Sequence, residues 1–174
     1  MKLKKVRGNK KAEGALDMSF SMIFSIILIV FFILVAFMAI RYFLKLQNCA
    51  RAGDFVSSFQ AKVTEAWYSQ KSNYEFKSIL PSGIEYVCFT DLSKGLSGEK
   101  ENVLDELEFY QGGFEANMIL YPKGKTCDMP VHNIAHLDLA KITKAKNPYC
   151  IEVNKGQVII NLEKGYVDRL VTVS

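Results

Sequence analysis

The chain has 174 residues, 49% of them hydrophobic, with four cysteines and a formal net charge of +4. That length supports one modest core and is too small for two. Residues 1–17 hold six Lys or Arg against Glu13 and Asp17, while the rest of the chain holds sixteen charges of each sign. The basic balance therefore belongs to the N-terminal tail alone, which argues against nucleic acid as a partner.

The first predicted element is the run from Met18 to Ile40, 23 residues without a charge, Pro or Gly. As a helix rising ~1.5 Å per residue it is about 34 Å long, enough to cross a hydrocarbon core of ~30 Å. Only Ser19, Ser21 and Ser25 interrupt it, so it has no polar stripe to turn toward water. A chain this short could hardly enclose such a helix on every side. The Lys and Arg excess before the run, against Arg41 and Lys45 behind it, orients the N-terminus toward the cytoplasm. Residues 1–17 are then a basic cytoplasmic tail, 18–40 a transmembrane helix, and everything later lies outside a plasma membrane crossed once. The run is too long for an ordinary secretory h-region, and Arg41-Tyr42-Phe43 behind it offers no small-residue cleavage site.

Between tail and run stands Lys10-Lys11-Ala12-Glu13-Gly14-Ala15-Leu16-Asp17-Met18. That order resembles the class III signal of archaeal type IV pilin-like proteins, in which a dedicated peptidase cuts after a Gly or Ala on the cytoplasmic side. The resemblance implies cleavage of the Gly14–Ala15 bond, retention of the apolar helix, and assembly with other pilin-like subunits through it. Glu13 stands where that family usually carries Lys or Arg, and Ser19 where it often carries Glu. The layout is also similar to single-span archaeal membrane proteins with an MSF-x-MIFSIILI anchor and later IEYVCF and NPYCI segments, a likeness that implies no particular activity.

Helical spacing continues past Ile40. Cys49, Ala52, Val56, Phe59, Val63 and Ala66 recur at steps of three and four, with Trp67 beside the last, and no Pro occurs before Pro81. The pattern predicts an extracytoplasmic extension over 41–71, helical to about Tyr68, whose seam lies on the protein's own sheet or against another copy's helix. Gly53 is its weak point.

From 72 to 174 the pattern predicts a β-rich domain. Lys71 to Lys77 is polar, and Pro81-Ser82-Gly83 is a turn. Ile84–Leu92 reads as a strand, Ser93–Lys100 as a loop, Glu101–Gln111 as a short helix stopped by Gly112-Gly113, and Asn117–Tyr121 as a strand. Tyr149–Val153 and Val158–Leu162 flank Asn154-Lys155-Gly156-Gln157, which predicts a hairpin pairing Val153 with Val158 and Ile151 with Ile160. Tyr166–Val173 reads as a last strand. The fold class is thus α+β: a long N-terminal helix packed on a small, mainly antiparallel sheet, pilin-like in layout.

Cys49, Cys88, Cys127 and Cys150 all fall on the outer side, an even count that suggests two disulfides. Three connectivities are open; Cys88 with Cys150 is favoured because both sit in predicted strands, and Cys49 could instead pair between chains. His132 and His136 form C-x4-H-x3-H with Cys127, but the spacing fits no standard zinc pair. On a strand over Ile134–Leu139 the two imidazoles would be ~13 Å apart, too far for one metal. No metal and no other cofactor is expected. Asp105, Glu106 and Glu108, near Glu101, read as a solvated helix face. No nucleophile, acid or base set converges, so no catalytic residue is assigned and the expectation is a non-enzyme. The expected function is a membrane-anchored, pilin-like structural or assembly subunit with the lipid bilayer as one partner. The alternatives are a monomeric tethered binding module and, third, a metal-dependent ectoenzyme.

Overall fold

The computed structural model describes residues 13–97, 100–111, 115–126 and 130–174. Most of the basic tail, Gly112-Gly113 and Cys127 lie outside these described residues. Helix α1 spans Glu13–Tyr68, 56 residues in one element. Gly53 is exposed with open space where a side chain would be, so nothing at that position interrupts it. The chain divides into two compact units, Met1–Leu44 and Lys45–Ser174, and α1 contributes to both.

In the first unit, every residue from Phe20 to Leu44 is exposed. In the second, α1 is a back wall. Ala52, Phe55, Phe59, Val63 and Ala66 are buried at steps of three and four, a stripe that α-helical periodicity places on one face. Phe55 is the buried member at the second step and Val56 only flanks the core, which corrects the expected seam by one residue.

Two antiparallel sheets complete this unit. Strand β1 (Ser72–Ile79) pairs along its whole length with β6 (Gln157–Lys164), and β7 (Thr172–Val173) adds to β6. The other sheet runs β4 (Val131–His132), β3 (Met118–Tyr121), β2 (Tyr86–Phe89), β5 (Tyr149–Glu152). Its two faces are covered differently. Val87, Phe89, Met118 and Leu120 face the α1 stripe and the inner residues Phe76, Val158, Ile160 and Leu162 of the first sheet. Cys88 and Ile119 face a smaller cluster with Val103, Leu107 and Tyr110 on or just after α2 (Glu101–Glu108). Burial on both faces explains why MILY of β3 is continuously apolar rather than alternating. A short α3 (Leu139–Ile142) is capped by the Asp138 carboxylate, which accepts from the Lys141 amide at 3.0 Å.

Four expectations are corrected. Lys71–Lys77, read only as a polar stretch, falls largely within β1, whose Ser72, Tyr74, Phe76 and Ser78 alternate inward between solvated Asn73, Glu75 and Lys77. The hairpin turn at Asn154–Gln157 forms, with Lys155 at φ 52° and Gly156 at φ 78°, but the strands part after the single Asn154↔Gln157 bridge. β5 pairs with β2 and β6 with β1, and Val153 and Val158 both join the shared core without being strand partners. Each of these strands finds a longer partner elsewhere than its neighbour offers. Ile134–Leu139 is no strand: Ala135-His136 is a turn, His136 has φ 70°, and only Leu137 bridges, to Val171. The last strand shrinks to Thr172–Val173, because Tyr166 and Val167 stand out in solvent at 76% and 93% exposure.

Candidate functional site

The largest apolar surface left uncovered among the described residues is that of α1. Phe20 to Leu44 is a helical stretch of about 38 Å on which Phe, Ile, Leu, Val and Met side chains are all exposed. It is long and apolar enough to cross a membrane. In water so much apolar surface is costly, at roughly 25 cal/mol per Å²; in hydrocarbon it is at home. The Ser25 hydroxyl donates to the Ser21 carbonyl at 2.9 Å, so that polar group is satisfied within the helix. Arg41 folds its guanidinium over the Phe37 ring, 4.4 Å from the centroid, covering its charge with an aromatic face at the end of the span. The Gly14–Ala15 bond falls in the first turn of α1.

In the head, Cys88 and Cys150 stand directly opposite in the β2–β5 register, with Cα atoms 4.0 Å apart, and are joined by a disulfide. Cys49 is also disulfide-bonded. His132 lies on β4, while His136 stacks flat on Trp67 at 3.9 Å between ring centroids, so the two histidines serve different surroundings. Among the described residues no group of three His, Cys, Asp or Glu side chains is placed to hold a metal ion.

Two buried asparagines tie the loops, and nothing in the sequence pattern marked them except the Asn147-Pro148 dipeptide. Asn147 accepts from the Thr90 hydroxyl and the Asp91 amide, both at 3.0 Å, and donates to the Asp91 and Gly95 carbonyls. Asn117 donates to the Ile134 carbonyl at 2.7 Å and accepts the Ile134 amide at 2.8 Å. Both amides are satisfied, as buried polar groups must be, and act as structural ties.

Shallow hollows of roughly 260–350 Å³ open on the head among the described residues. One of them is lined by Glu85, Tyr86, Lys100, Glu101 and Tyr121. The Lys100 ammonium is occupied there by the Tyr86 hydroxyl at 3.2 Å and sits over its ring. Along α2, Glu106 is half-buried and accepts the Lys123 amide at 3.2 Å. Burial lifts its carboxyl above the ordinary glutamate range, against the pull of Lys123.

Sequence reasoning missed an exposed aromatic patch. Tyr68 at the end of α1 and Tyr166, Val167 and Leu170 in the β6–β7 connection are exposed. Lys71 lies over the Tyr166 ring at 5.6 Å, and the Trp67 indole donates to the Arg169 carbonyl at 3.1 Å. A Gly-Tyr-Val-Asp-Arg run beyond a complete amphipathic strand was its only local signal. No protein-family model, curated protein or solved structure matches the chain.

Proposed function

We propose that the chain is a single-pass membrane-anchored structural or assembly subunit, pilin-like in layout, with its N-terminus in the cytoplasm and its β-rich head outside. One observation carries the proposal: a single helix presents an exposed apolar span in its first half and supplies the back wall of the head's core in its second. The basic tail before the span supports the orientation. The disulfide between Cys88 and Cys150 supports a head that matures in an oxidising compartment. The Gly14–Ala15 bond is the candidate leader-cleavage site.

The deciding measurement is the intact mass of the protein recovered from membranes. A mature chain beginning at Ala15 supports the processed subunit. A retained Met1 refutes processing and moves the protein to the monomeric tethered module.

A further inference from the structure

We propose that the head carries a head-to-tail interface for a second copy of this chain, in which the aromatic, basic patch beside the end of α1 receives the acidic face of α2. The inference rests on the assembly role proposed above and names the surfaces that would serve it.

The first surface is Tyr68, Tyr166 and Val167, exposed at 78%, 76% and 93%, with Lys71 and Arg169 among them. It is held in shape before any partner arrives. Asp168 accepts the Gly165 amide at 2.9 Å and the Lys141 ammonium at 2.6 Å, and Trp67 is clamped between His136 and the Arg169 carbonyl. Asp168 is the patch's one acid and Lys141 already neutralises it, whereas Lys71 and Arg169 form no ion pair among the described residues. Tyrosine with arginine, on a preorganised base, is the composition in which interface energy concentrates.

The second surface is the outer side of α2. Val103 and Leu107 turn inward, which leaves Glu101, Asp105 and Glu108 outward with Phe109, itself 75% exposed. The segment ENVLDELE contains no Lys or Arg, and these three acids form no ion pair among the described residues. Like charges three and four apart on a helix repel one another and destabilise it.

Charge decides the partner. Each surface joins an exposed aromatic to a single sign of charge, and the two signs are opposite. Neither can meet itself without bringing like charges together, so a two-fold contact is disfavoured. Each copy offers one face of either kind, which gives a heterologous contact that propagates rather than closes. Copies anchored in one bilayer would also be concentrated in a plane.

The test uses the full chain in detergent, its association followed by sedimentation. Lys71→Glu with Arg169→Glu, and separately Glu101→Lys with Asp105→Lys and Glu108→Lys, should each weaken association roughly tenfold or more. An equimolar mixture of the two variants should regain it, since each then complements the other. Phe109→Ser, which alters no charge, should weaken association as well, and the far-ultraviolet circular dichroism of every variant should match wild type. A mixture no better than either variant alone overturns the interface. Wild type that assembles and ignores all these substitutions refutes the interface but leaves the assembly role standing. Wild type that never associates refutes both.

Discussion

Placing a carboxylate at the middle of the α1 span tests what that surface is for. Ile29 is the centre of Met18–Ile40, and Ile33 lies one turn later; they are 59% and 62% exposed. Neither helps to hold the head, so a change there acts on the helix's surroundings and not on the fold. At a helix centre an Ile favours insertion by about 0.3–0.6 kcal/mol, and an Asp opposes it by about 2.5–3.5. One Ile→Asp change therefore swings the balance by roughly 3–4 kcal/mol, and two by roughly 6–8. The fifteen Phe, Ile, Leu and Val residues of the run supply at most roughly 5–9 kcal/mol on the same scale. Ile29→Asp alone should stay mostly in membranes, whereas Ile29→Asp with Ile33→Asp should be lost from them. The assay is alkaline carbonate extraction of membranes from cells expressing each full chain, with Ile29→Leu as control. Wild type that washes out, or a double variant that resists extraction, would refute the membrane-span argument.

The head offers four further checks by thermal unfolding. Phe59 is fully buried and packs its ring 5.3–6.0 Å from Phe55, Phe76 and Phe89, so Phe59→Ala should cost about 3–5 kcal/mol. Gly53→Ala should do the opposite and stabilise by up to about 1 kcal/mol, because the added methyl meets nothing within 4 Å. Replacing Cys88 and Cys150 together by Ala opens a 62-residue loop and should cost on the order of 4 kcal/mol. Glu106 concerns pH. Its folded carboxyl holds its proton above the range in which the unfolded chain releases it, so its contribution to stability falls as pH rises through that window. Glu106→Gln, which keeps an oxygen for the Lys123 amide, should therefore raise Tm at pH 7 and leave it nearly unchanged at pH 4. An equal shift at both would count against burial as the cause.

What was legible in the sequence was whatever one element decides for itself. The span and the α1 stripe follow from helical period over many turns, and the Lys155-Gly156 turn follows from local backbone chemistry. Partner choice was less legible. The stretch 149–162 carries a consistent hairpin pattern, yet β5 and β6 belong to different sheets, because β2 and β1 from earlier in the chain take up their edges. β1 was obscured by its own solvated side, whose Asn, Glu and Lys masked the alternation beneath. The flat stack of His136 on Trp67 and the patch around Tyr166 depend on contacts across about 70 to 100 positions of sequence, and no local pattern encodes them. Phe109 was hidden for a different reason: it sits beside a helix whose inward residues accounted for all its hydrophobic signal.

The last turn of α1 contains no basic side chain, and its carbonyls are met instead by Lys164, whose ammonium takes the Trp67 oxygen and, at 2.8 Å, that of Ser69. β1 likewise waits for β6, and Cys88 waits for Cys150. The strands that pair with β1 and with the far edge of β2 thus arrive in the final thirty or so residues, while the helix is made first. A ribosome would release all of α1 before β1 had its partner or Cys88 its disulfide, so the head's two sheets close last, by contacts between distant parts of the chain.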